Sequence, residues 1–249
     1  MSGARYFDGV DDYLTVPETS AVQFGGATEF TMSGWVHPVS SSAAQKFFGR
    51  WRGGGGGSDA ERLSYLAQIS ADGTFLAAIY TGSFGIVESP AVVTVGVWSH
   101  VAMAWDGGTM RLYVDGTEVN TQSRTGTMLD GLNVPLMFGV SGRPLGLEDP
   151  FEGRLADWAI WNATLTAANM ADLAAQTIRP SALTTGLRGY WPIEGIASPE
   201  PDLSTFANDA TVVGAVQADG PFGPVGPVGP FLRTTGGYLR TASGILRPA

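Results

Sequence analysis

The sequence predicts an all-β protein, an antiparallel two-sheet sandwich with one short helix on its outside and an extended C-terminal tail. Three observations carry that expectation. Short apolar runs alternate with a period of two; Gly, Asp and Pro punctuate them at close intervals; and glycine supplies 35 of 249 residues, about twice its usual share. Only 15% of the residues are charged. At this length one large all-β domain is an ordinary outcome, and it can bury a core without staples.

The elements follow in order. Leu66-Ala67-Gln68-Ile69 and Phe75-Leu76-Ala77-Ala78-Ile79-Tyr80 flank Asp72-Gly73, a hairpin signal. In Val101-Ala102-Met103-Ala104-Trp105, the residues Val101, Met103 and Trp105 share a face, so His100 points to the opposite one. The run Met110–Val114 sets Leu112 against Arg111 and Tyr113. Asp115-Gly116 then turns the chain into Thr117-Glu118-Val119. The alanine-rich stretch Leu165–Gln176 is the one helical signal, capped by Thr166. Gly53–Gly57 cannot hold a strand and reads as a loop, whether natural insertion or engineered linker.

Residues 1–220 form the predicted sandwich, and 221–249 differ in kind. Pro221–Pro230 reads as a semi-rigid, polyproline-like spacer. A seven-residue repeat follows: Phe231-Leu232-Arg233, Tyr238-Leu239-Arg240 and Ile245-Leu246-Arg247. All 23 acids lie at or before Asp219, so with eleven cations the body stands near −12, whereas the tail is +3. Large apolar residues paired with Arg suit an interface. These nine residues are therefore expected to dock, either on another protein subunit of an assembly or on the chain's own acidic body.

The acidic balance, net −9, excludes a nucleic-acid partner that needs clustered cations. Cysteine is absent, which removes disulfides and thiolate metal sites. No signal peptide and no 18-residue apolar run is read, so neither ordinary secretion nor membrane insertion is expected.

Several segments, in this order, resemble the laminin-G-like jelly rolls of the concanavalin A-like lectin/glucanase superfamily. They are Tyr6–Pro17, Phe30–Val36, Val97–Ala102 with Leu112–Gly116, Phe151–Asn162 with the helix, and Gly189–Pro192 with Asp202–Ser204 and Asn208–Thr211. The likeness spans about residues 5–217 and rests on the ordered set rather than on any single motif. It implies a concanavalin A-like jelly roll and, as in many such domains, a structural Ca²⁺. The matching oxygen ligands are Asp8, Asp12, Asp202, Asn208 and Asp209, in two loops expected to be neighbours. The alternative is that these residues serve turns only.

Trp51, Arg52, Tyr80, Trp98 and Trp161 are candidates by type for a glycan surface, although tryptophans in a sandwich more often build core. No catalytic residues are assigned. The alternating carboxylates of a glucan hydrolase are missing, and the acidic clusters Asp8/Asp11/Asp12 and Glu148/Asp149/Glu152 sit in turn-like sequence. His37 and His100 read as exposed or hydrogen-bonded strand residues. The expectation is a non-enzymatic structural or adhesive protein on a virion surface, such as a phage decoration or tail-associated protein. The alternative is a carbohydrate-binding, lectin-like module at a bacterial surface or secreted; a glycoside hydrolase is the third reading.

Overall fold

The computed structural model describes residues 3–41, 43–51, 63–130, 134–143, 146–221, 238–240 and 246–248. Two antiparallel sheets face each other. The eight-stranded sheet runs β10 (Thr117–Ser123), β9 (Thr109–Val114), β8 (Ser99–Trp105), β3 (Phe30–Pro38), β14 (Glu152–Trp161), β1 (Gly3–Asp8) and β17 (Val216–Asp219). A further strand, β15 (Leu187–Trp191), shares the edge of β14 with β1. The seven-stranded sheet runs β16 (Thr211–Val213), β2 (Tyr13–Val16), β11 (Leu136–Phe138), β4 (Gln45–Trp51), β5 (Leu63–Ile69), β6 (Thr74–Tyr80) and β7 (Phe84–Val92). A small hairpin, β12 (Ser141–Arg143) with β13 (Gly146–Glu148), lies against β4. Beyond the body, β18 (Tyr238–Arg240) pairs with β19 (Leu246–Pro248).

The turn chemistry acts as the sequence predicts. Asp115 (φ 48°) and Gly116 (φ 76°) both take the left-handed conformation that a two-residue hairpin between β9 and β10 requires. Gly73 (φ 83°) closes the turn between β5 and β6. The single α-helix among the described residues, α1 (Ala167–Ala174), starts at Thr166. There the Thr166 hydroxyl accepts from the Asn169 amide and the Asn169 side chain accepts from the Thr166 amide, which closes a capping box. None of the described helices is long and apolar enough to cross a membrane.

Alternation, shifted by bulges in β4 and β14, places Phe7, Phe30, Met32, Val101, Met103, Trp105, Leu112, Leu155, Trp158 and Ile160 of the eight-stranded sheet against Leu14, Phe47, Phe48, Tyr65, Phe75, Ile79 and Val87 of the other. Each such side chain, fully buried, contributes about 1.5–3 kcal/mol. Trp158 stacks on Phe48 with centroids 4.5 Å apart. Its indole occupies space left by Gly34 on neighbouring β3, where a Cβ would come within 2.3 Å of the ring.

The outer face of the eight-stranded sheet is also covered. Met170 and Leu173 of α1 pack on Ala102, Ala104, Tyr113, Ala159, Trp161 and Tyr190. Beside them, Trp35 packs with Ala4, Ala156 and the half-buried Trp98. His100 lies under this cover and is 2% exposed. This corrects the expectation of an exposed or hydrogen-bonded histidine. Its ring meets Trp35 edge-on at 5.5 Å, its Nδ1 finds no hydrogen-bond partner among the described residues, and burial pushes its pKa down to about 3.

Candidate functional site

The outer face of the seven-stranded sheet is different at one end. On β7, Val87 points into the core, so Phe84, Ile86 and Glu88 point out. Phe84 is 41% and Ile86 46% exposed. Phe84 stands directly opposite Tyr80 on β6, with ring centroids 5.5 Å apart. The half-buried Trp51, at the end of β4, reaches Phe84 at 5.3 Å. Leu129, also exposed, joins this end through its amide, which donates to the Tyr80 carbonyl. The result is a run of solvent-facing rings and aliphatic groups supported from below by Tyr80.

Two arginines fix it. Arg50, which precedes Trp51, is fully buried. Its Nε donates to the Val134 carbonyl at 2.8 Å, Nη1 to Asp130 at 3.1 Å and Nη2 to Glu18 at 2.9 Å. Removing one partner of so buried a charge network costs about 3–5 kcal/mol, so the end of β4 is held rigidly. Arg124 lays its stem over Gly85 and donates to the carbonyls of Ser83 and Phe84, clamping the turn that carries Phe84. Neither arginine, nor Phe84, is among the residues singled out from the sequence. Period two shows that Phe84 and Ile86 share a face but leaves open whether that face is wet.

The other ring candidates part company with this cluster. Trp161 is fully buried beneath the helix and its Nε1 donates to the Leu183 carbonyl at 2.8 Å. It is core, which corrects its assignment as a ligand surface. Trp98 immediately precedes β8 of the opposite sheet, edge-on to His37 at 5.3 Å, and contributes to the cover over Trp35. Arg52 lies outside the described residues.

The two acidic loops are not brought together. Asp8, Asp11 and Asp12 gather in the turn after β1, with carboxylate oxygens within 4.8 Å of one another. Asp12 is nearly buried, and burial with its two acidic neighbours raises its pKa. Its Oδ1 sits where a Cβ on Gly214 would lie, 1.8 Å away, so glycine is required there. Strand β2 pairs with β16 in the register Tyr13↔Val213 and Thr15↔Thr211. That register sets Asp12 beside Gly214 at one end of β2 and leads Asp209 towards the other, about five residues or roughly 16 Å along the strand. The terminal strands do pair, yet their register separates the loops.

In the second loop the carboxylates are occupied by backbone. Asp202 accepts from the amides of Tyr190, Ser204 and Asn208, and Asp209 accepts from the Asp202 amide, all at 2.9 Å. Hydrogen bonds of this kind organise a turn. The first turn is organised in the same way, Asp8 accepting from the Val10 and Asp11 amides and Asp12 from the Asp8 amide. What sets it apart is that it gathers three carboxylates, oxygens suited to a hard cation, with Asp11 as a member beyond the predicted set.

A further polar centre sits where β14 changes partners. Its edge pairs with β1 over residues 152–155 and with β15 over 158–161. Between them Asp157 adopts φ 54° and is 5% exposed. It accepts from the Tyr190 hydroxyl at 2.6 Å and pairs with Arg179, and burial raises its pKa against the pull of that arginine.

Of the tail residues, Phe231, Leu232, Arg233 and Ile245 lie outside the described residues. Tyr238, Leu239 and Arg240 form the backbone of β18, and Leu246 and Arg247 belong to β19, with Leu239 in register with Arg247.

Two facing antiparallel sheets in this strand order, with one short helix on the outer face, make a jelly-roll sandwich. Residues 8–171 match the model of the concanavalin A-like lectin/glucanases superfamily, and the chain belongs to that family. No curated protein matches it. Among solved structures, a putative carbohydrate binding protein from Bacteroides ovatus aligns at TM-score 0.67 and 16% identity, covering 90% of this chain. The chain spans 62% of that protein's length. The heptameric SAP-like pentraxin from Limulus polyphemus aligns at 0.60 and 16% identity, covering 90% of this chain and 98% of its own. The CBM40 of the Ruminococcus gnavus IT-sialidase, bound to α2,3 sialyllactose, aligns at 0.52 and 17% identity, over 70% of this chain and 93% of its own. These likenesses establish the fold.

Proposed function

We propose that the chain is a non-enzymatic carbohydrate-binding module whose contact surface is Trp51 and Phe84, backed by Tyr80 and extended by Ile86 and Leu129. The observation that carries this reading is a contacting ring pair, exposed Phe84 against half-buried Trp51, at a strand end fixed by Arg50 and Arg124. Phe206 is equally exposed but has Arg188 over its face at 4.9 Å rather than a second ring. Sugar rings present apolar C–H faces that stack on such surfaces, and an exposed apolar patch on a rigid scaffold marks a binding site. The carbohydrate-binding proteins among its structural neighbours support the reading. Non-enzymatic action is favoured because the clustered acids lie in one turn, while Asp157 and Asp202 are engaged by Tyr190, Arg179 and backbone amides. Glycoside hydrolysis requires two acids flanking one bond.

Calcium is proposed as a structural ion held by Asp8, Asp11 and Asp12, where it would neutralise three crowded carboxylates. A glycan array probed with the full chain, with calcium and with a chelator, tests both ideas. Binding to a defined glycan, lost in Trp51→Ala and Phe84→Ala, is the expected result. Binding that survives both substitutions, or none to any glycan in either condition, sinks the surface. Affinity and melting temperature unchanged by chelator sink the ion.

The charge split and the Leu-Arg repeat favour a second, compatible role as a subunit anchored through its tail to an assembly such as a virion surface, or otherwise outside the cell. Deleting residues 221–249 should abolish incorporation while leaving the sandwich folded. Full incorporation without the tail would remove that role.

A further inference from the structure

The exchange of β1 for β15 along β14 leaves a gap, and the connection after Trp191 lines it. The cleft measures about 390 Å³ and its walls include Pro192, Glu194, Ile196, Pro201 and Leu203. Ile196 is 68% and Leu203 55% exposed, so the rim is aliphatic and wet. Its charges are unequal in standing. Arg179 is matched by Asp157, and the buried Glu200 by Arg5 at 2.7 Å. Glu194 forms no ion pair or hydrogen bond among the described residues. The cleft therefore presents one uncompensated carboxylate within an apolar rim. The complementary ligand is a large aliphatic or aromatic side chain with a cation one or two residues away.

The chain's own tail carries that pair three times, in Phe231-Leu232-Arg233, Tyr238-Leu239-Arg240 and Ile245-Leu246-Arg247, on a segment whose only charged residues are these three arginines. We propose that this cleft is the receptor for the Leu-Arg repeat of a second copy of the chain. The proposal rests on the reading of the tail as an anchor and names its partner. The body's last strand ends at Asp219, in register with Gly3, and Gly3 abuts the Glu194 carbonyl, so the tail departs beside its own cleft. The ten residues Pro221–Pro230 read by sequence as extended chain, about 31 Å long at roughly 3.1 Å per residue. Such a spacer carries the first repeat away from the cleft it starts from and towards a neighbour's. A tail seated in a neighbour's cleft would link copies into a chain or lattice, because a head-to-tail contact need not close.

Sedimentation velocity of the full chain across a concentration series tests this. Glu194→Arg, and separately the joint change of Arg233, Arg240 and Arg247 to Glu, should each weaken self-association at least tenfold. Combining them should restore most of it, since the charges are then exchanged. Ile196→Asp, on the exposed rim, gives an independent loss, and near-UV circular dichroism checks that each variant keeps its tertiary packing. If the tail substitutions abolish association but Glu194→Arg and Ile196→Asp do not, the cleft is wrong and the anchoring tail survives. A wild-type chain that stays monomeric at its highest soluble concentration overturns the second copy as partner.

Discussion

On the outer face of the eight-stranded sheet, Trp161, Tyr113 and Tyr190 lie beneath α1 and the segment that follows it, with Trp35 sealed beside them. On the outer face of the seven-stranded sheet, Phe84 and Ile86 meet solvent, with Trp51 half-buried against them. Residue types are similar on the two faces, so aromatic content does not distinguish a binding surface from a second core. The difference lies in what packs on top. One face carries an amphipathic helix whose Met170 and Leu173 need an apolar partner; the other ends in a hairpin whose turn is held by Arg124 and has no cover of that kind among the described residues.

The comparison predicts unequal costs of truncation. Trp161→Ala should destabilise the fold most, by about 4–6 kcal/mol, because it opens a large cavity and strands the Leu183 carbonyl as well. Urea denaturation measures this as a lower midpoint at constant slope. A cost below about 1 kcal/mol would mean that the helix does not seal this face. His100 sharpens the same point through pH. Its folded pKa, about 3, lies below the ordinary value of 6.5. The neutral ring is favoured in the folded state, so its contribution is complete above pH 6.5 and is lost as pH falls towards 3. The loss is on the order of 3–5 kcal/mol. His100→Phe should therefore lose less stability than the wild type between pH 7 and pH 4, with urea midpoints as the measurement. An identical loss in both proteins would show that water reaches the ring.

How far the sequence shows this depends on the kind of feature. Val101, Met103 and Trp105 declare a buried face because period two is a local property of extended chain, and Asp115-Gly116 declares its turn because so few residues accept left-handed φ. Thr166 likewise marks the helix start. Burial of the opposite face is not local. Trp161 and His100 become core only when α1 docks, and Phe84 becomes a surface only when Trp51, 33 residues earlier, folds across to it. The acidic loops show a third kind of limit. Pairing of the terminal strands is legible, whereas a register that parts Asp12 from Asp209 depends on which residue of β2 meets which of β16.

Smaller effects test the cover itself. Thr166→Ala removes the capping box that starts α1, and should cost about 1 kcal/mol in urea midpoint while leaving glycan binding intact. An eight-residue helix has little stability of its own, so a much larger loss would mean that the cap organises the whole cover rather than one helix end.

A comparably small change in stability should come from Phe84→Ala. With 41% of the residue already exposed, truncation forfeits only the buried share of a transfer free energy, about 1–2 kcal/mol, well below the cost at Trp161. If Phe84 is a binding surface, the same substitution removes most of the glycan affinity, so stability and binding separate. If instead it is a core residue of a third layer, the two fall together. Measuring both on one variant decides between these outcomes, and Trp161→Ala provides the reference in which stability is lost first. A stability loss for Phe84→Ala comparable to that of Trp161→Ala would erase the distinction between the faces on which the proposed surface depends.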